Sequence, residues 1–67
     1  MSIEKHITVT GVSTVSWKDA IVKTLSKTSE TIQAISAVRI LDQRGKVANG
    51  IISEYYVDLD ITFLVEQ

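Results

Sequence analysis

From Ile3 to Val12 the chain alternates: Ile3, Lys5, Ile7, Val9 and Gly11 share one face, and Glu4, His6, Thr8, Thr10 and Val12 share the other. Period two in β-branched residues predicts a strand with one apolar face. Gly11 ends the clean pattern, and Val12–Val15 reads as a short connector. The period then changes. Trp17, Ala20, Ile21, Thr24, Leu25, Thr28 and Ile32 recur at three-and-four spacing, the stripe of an amphipathic helix. Lys18, Lys23, Lys27 and Glu30 fall mostly outside that stripe. Ser16 stands where an N-cap belongs, its hydroxyl free to accept a first-turn N–H. Asp19 adds a negative charge near the positive end of the helix dipole. The helix is predicted from Trp17 to about Thr31.

Gln33–Arg44 returns to period two. Ile35, Ala37, Arg39 and Leu41 hold one parity, and Ala34, Ser36, Val38, Ile40 and Asp42 hold the other. Leu41 breaks the order, as expected of a strand covered on both faces at a subunit interface. Gln43–Gly50 reads as a polar hairpin connection with two glycines. A long third strand follows from about Ile51 to Val65, with Tyr55, Val57, Leu59, Ile61, Phe63 and Val65 on one face. The order β-α-β-β defines an α+β fold in a single domain spanning residues 1–67. The helix makes a right-handed crossover between the first two strands. The third strand takes the centre of a three-stranded antiparallel sheet wrapped on one helix. One sheet face then stays open, and so long an apolar strand predicts that the chain works as an assembly.

Length strengthens that expectation. With 67 residues, the domain buries only about 60% of the surface its unfolded chain exposes. Folds this small usually rely on disulfides, a metal or self-association. There is no cysteine and only one histidine, His6, so self-association is the staple that remains. The net charge is −1 and the seven basic residues are scattered, which gives no electrostatic footprint for nucleic acid. No apolar run approaches a membrane span, and the N-terminus lacks the apolar core of a signal peptide. The expected compartment is the cytoplasm.

Four segments together resemble the dodecins, small strand–helix–strand–strand proteins that assemble as hollow twelve-subunit spheres. They are Thr10-Gly11-Val12-Ser13, Ser16-Trp17-Lys18-Asp19-Ala20, Arg44-Gly45-Lys46-Val47, and Tyr55 through Phe63. The likeness runs over essentially the whole chain. It implies a homododecamer and a non-enzymatic protein that stores a small ligand. In typical dodecins that ligand is flavin, held as stacked pairs between subunits. A tryptophan opening the second strand stacks on the isoalloxazine ring, and a glutamine in the third strand bonds its polar edge. Here the tryptophan position falls on Ala37 and the glutamine position on Tyr56. Arg39 and Gln43 are the polar neighbours of that former pocket.

The departure changes the expected chemistry. An alanine offers no aromatic face, and such stacking is worth about 1–3 kcal/mol per base in nucleic-acid binding. A tyrosine has one hydroxyl where glutamine offers a donor and an acceptor together. Tyr56 can itself stack on a planar ligand, or it can fill the pocket against its symmetry mate. Asp58 and Asp60 share one face of the last strand, about 7 Å apart. Asp42 and Glu54 can add carboxylates, and copies related by symmetry multiply them, so a hard cation such as calcium is the candidate substitute ligand. His6 lies on the polar face of the first strand and Trp17 on the apolar stripe, where its indole N–H needs an acceptor. Gly45 and Gly50 are followed by Ile51-Ile52, so they do not form a phosphate loop. No pair of side chains has an acid–base or nucleophile arrangement. The rival expectation is a structural or interaction oligomer with no bound cofactor.

Overall fold

The computed structural model describes residues 2–66. The order is β1 (Ser2–Ser13), α1 (Trp17–Thr28), β2 (Ile35–Ala48) and β3 (Ile51–Glu66). The three strands form one sheet in the order β1-β3-β2, with both pairings antiparallel. The predicted β-α-β-β fold and the central third strand are therefore observed.

Several boundaries move, each for a physical reason. β1 continues through Gly11 to Ser13, pairing Gly11 with Val57 and Ser13 with Tyr55. Gly11 does not end the strand; it lets the helix come close. A Cβ built there would lie 1.9 Å from Thr24 Oγ1 and 3.1 Å from the Ala20 carbonyl oxygen. α1 starts as predicted, with the Asp19 N–H donating to Ser16 Oγ at 2.9 Å. It stops at Thr28 rather than Thr31. The Ser29 hydroxyl donates back to the Ser26 carbonyl and the Thr31 hydroxyl to the Thr28 carbonyl, local bonds that compete with helix continuation. The return to the sheet passes through Ala34, whose φ of 61° is left-handed. Its carbonyl accepts the Leu64 N–H at 3.1 Å.

The hairpin connection is also shorter than predicted. Residues 43–48 belong to β2, and only Asn49 and Gly50 turn, with φ of 53° and 77°. Two positive φ angles in an Asn-Gly pair match the tight turn that suits twisted antiparallel strands. The break in alternation at Leu41 is a β-bulge, since the register shifts between Ile40 and Asp42.

Val57, Leu59 and Ile61 of β3 and Ala20 of α1 are fully buried. Ile7, Val9, Trp17, Ile21, Leu25 and Ile35 pack around them. Twelve helical residues span about 18 Å, so α1 covers only part of a molecule whose long axis is 52 Å. The Cα radius of gyration is 13.9 Å, against about 11 Å for a compact domain of this length. The uncovered part carries several exposed apolar side chains. Val38, Ile40 and Leu41 are exposed on β2, and Val47 and Ile51 near the turn are 63% and 70% exposed.

Candidate functional site

The sheet face turned away from α1 is the polar one, because period two sends the alternate residues of each strand there. On β3 these are Glu54, Tyr56, Asp58, Asp60 and Thr62. Register adds His6, Thr8, Thr10 and Val12 from β1. From β2 it adds Ala37, Arg39, Asp42 and Arg44.

One cluster centres on Arg44. Asp42 and Asp58 lie directly across from each other, a like-charged pair that is unfavourable by itself. Arg44 Nη1 resolves it, 2.5 Å from Asp58 Oδ2 and 3.6 Å from Asp42 Oδ2. The Thr10 hydroxyl donates to Asp58 Oδ1 at 2.8 Å. The bond from Thr10 and then the Arg44 guanidinium hold the Asp58 carboxyl below its usual range. Asp58 in turn raises the Arg44 guanidinium above its ordinary value. The guanidinium carbon also stands 5.4 Å from the centre of the Tyr56 ring, within cation–π range. The Tyr56 hydroxyl donates to Glu54 Oε1 at 3.1 Å, and Lys46 Nζ lies 3.8 Å from the same oxygen. On the opposite face the Trp17 indole N–H donates to the Arg44 carbonyl at 3.1 Å, the acceptor that the sequence required. The Trp17 ring meets Tyr55 edge to face, with centroids 4.8 Å apart.

A second cluster lies farther along the same face. His6 Nδ1 is 3.0 Å from Asp60 Oδ2 and 3.1 Å from Thr62 Oγ1. Its other ring nitrogen is 3.9 Å from Glu4 Oε1. Arg39 pairs across from Asp60, and Ala37 across from Thr62.

Within one chain, the residues expected to line a pocket between subunits are spread along the sheet. Ala37 and Arg39 sit at the His6 end and Tyr56 at the Arg44 end. The partner of Ala37 is Thr62, about 20 Å along β3 from Tyr56. Gln43 pairs with the buried Val57 and so lies on the helix-side face, apart from the other three. The bulge at Leu41 causes this split. It reverses the parity of everything after it, so Arg44, not Gln43, shares a face with Arg39. Asp58 and Asp60 do share the open face, but each is engaged by different side chains. Among the described residues no three His, Cys, Asp or Glu side chains gather as a metal cage within one chain. The contributions of Arg44, Thr10 and His6 went unread in the sequence. Their signal was the parity of β1 and the bulge that carries Arg44 to the open face.

The Dodecin family model matches residues 3–66. The chain belongs to the dodecin family. No curated protein matches it in sequence, and its solved relatives are distant. A dodecin from Streptomyces coelicolor is 20% identical with a TM-score of 0.92, covering 98% of this chain and 94% of that one. A single-residue variant of Thermus thermophilus dodecin is 22% identical with a TM-score of 0.93, each chain fully covered. The calcium-chelating immunodominant antigen calcium dodecin of Mycobacterium tuberculosis, described with a novel calcium-binding site, is 23% identical with a TM-score of 0.80. There the match covers 91% of this chain and 87% of that one.

In this dodecin neither Ala37 nor Tyr56 presents a group that fits an isoalloxazine ring. Ala37 presents a methyl group. The Tyr56 hydroxyl already donates its hydrogen bond to Glu54, and one ring face is taken by Arg44. Among the described residues no helix is long and apolar enough to cross a membrane.

Proposed function

We propose that this dodecin is the subunit of a cytoplasmic homododecamer that binds and stores a small ligand between subunits, without catalysis. The observation that carries this reading is the uncovered sheet. Both the apolar residues of β2 and the polar open face lack cover in one chain. Burying apolar surface of that kind is the main driving force for association. Ala37 and Tyr56 stand too far apart to meet one small molecule from the same subunit, so a site using both needs two.

The ligand class we favour is a divalent cation such as calcium rather than flavin. Asp60 is the carboxylate we place in such a site, because it meets His6 and no guanidinium, whereas Asp58 is held by Thr10 and Arg44. Calcium takes about six to eight oxygens, more than one chain offers here, and symmetry-related open faces would supply the rest. The Mycobacterium calcium dodecin gives this choice a precedent within the fold. A second reading is an oligomeric scaffold with no cofactor. It is favoured by the way Tyr56, Arg44, Asp58 and Thr10 satisfy one another.

Native mass spectrometry under ligand-preserving conditions separates these readings. Twelve chains with calcium adducts removed by a chelator are the expected result. Twelve bare chains support the scaffold, and twelve chains carrying flavin restore the family's usual cargo. A monomer or dimer overturns the assembly and the storage role with it.

A further inference from the structure

Tyr56 is held at both ends. Its hydroxyl donates to Glu54 Oε1, two residues back on the same face, and Lys46 across the hairpin approaches that carboxylate. Its ring lies beside Arg44, its direct cross-strand partner. Arg44 is in turn fixed by Asp58 and Asp42, and Asp58 by Thr10. Swinging the ring away would break a bond to a charged acceptor and uncover a guanidinium face. A ligand reaching this position also meets the Glu54 carboxylate, which repels the carbonyl oxygens at the polar edge of an isoalloxazine ring.

We infer that this clamp is a selectivity device: Glu54 and Arg44 hold Tyr56 as a plug that rejects flavin even when an aromatic stacking partner is supplied at position 37. The inference rests on the open face being the ligand-binding face of an oligomer. It makes Glu54 and Arg44 positioning residues that act through Tyr56. The plug is distinct from simple loss of contacts, because loss alone would be repaired by restoring the aromatic group.

Riboflavin, followed by quenching of its own fluorescence, is the probe. Wild type, Ala37→Trp, Ala37→Trp/Tyr56→Gln, Ala37→Trp/Glu54→Ala and Ala37→Trp/Glu54→Gln are titrated as oligomers of wild-type mass. Wild type and Ala37→Trp are expected to leave riboflavin free. Removing the plug with Tyr56→Gln, or loosening it with Glu54→Ala, tightens binding at least about tenfold over Ala37→Trp alone, the scale of one charge-assisted hydrogen bond. Glu54→Gln keeps an acceptor oxygen for the hydroxyl and is expected to keep most of the rejection. The inference is overturned if Ala37→Trp binds as tightly as either plug variant, or if no variant binds. A wild-type protein that is not oligomeric instead overturns the binding reading on which the inference stands.

Discussion

Gly11→Ala tests a close approach of the helix to the sheet. An alanine Cβ would meet Thr24 Oγ1 at 1.9 Å, Thr24 Cβ at 3.2 Å and the Ala20 carbonyl oxygen at 3.1 Å. The first contact is far below van der Waals separation. Thr24 can turn its side chain, but then its hydroxyl loses the 2.6 Å bond to the Ala20 carbonyl. The Ala20 carbonyl is helix backbone, beside a fully buried side chain, and can only shift with the helix. Overpacking of this kind costs about 1–3 kcal/mol. Against it stands a gain of about 0.5–1 kcal/mol for replacing a glycine inside a strand. A net loss centred on about 1 kcal/mol is therefore expected for Gly11→Ala, taking the two contributions together. Thr24→Ala removes the clashing oxygen, so Gly11→Ala should be close to neutral in that background. Urea unfolding of the four proteins, at one fixed chain concentration because assembly couples to stability, measures the coupling. The reasoning fails if Gly11→Ala is neutral alone, or equally destabilising with and without Thr24.

Two further outcomes follow from the caps and carboxylates. Ser16→Ala removes the acceptor for the Asp19 N–H and is expected to cost about 1 kcal/mol, read as a lower urea midpoint; an unchanged midpoint would mean that packing alone fixes the helix start. Asp19 and Asp58 both titrate below their ordinary value of 3.8, Asp19 chiefly through the Ser13 hydroxyl and then Lys23, Asp58 through Thr10 and then Arg44. A depressed folded pKa contributes stability that is present above the unfolded value and lost as pH falls through the folded one. Stability should therefore hold at neutral pH and fall below about pH 4, the unfolded carboxylate range. Asp58→Asn should make that acid slope shallower, and an unchanged slope would remove Asp58 from the account.

The element order was legible because period two and period 3.6 differ plainly along this chain, and Ser16 and Asn49-Gly50 carry local turn chemistry of their own. The ends were harder. Gly11 looks like a stop signal, yet its lack of a side chain serves a neighbour 13 residues on, Thr24, which only the fold brings near. The polar run Gln43–Lys46 looks like a loop because a strand bare on both faces has no apolar row. The candidate site suffered most from one residue. Alternation assumes an unbroken pleat, and the bulge at Leu41 reverses it, exchanging Gln43 for Arg44 on the open face. The anomaly at Leu41 was visible in the sequence; the same anomaly fits burial on both faces or an inserted residue, and register alone separates the two.

The hydrogen bond from the Trp17 indole to the Arg44 carbonyl has an optical consequence. Trp17 is the sole tryptophan, and it touches the backbone of the residue whose side chain gathers Asp42, Asp58 and Tyr56 on the far side of the sheet. The sheet is one residue thick at that point. An occupant that pulls Arg44 from its carboxylates is expected to shift that backbone carbonyl and with it the emission of the chain's only indole. Intrinsic emission, without a dye or a label, is therefore the readout in which a change at the opposite face is expected to show.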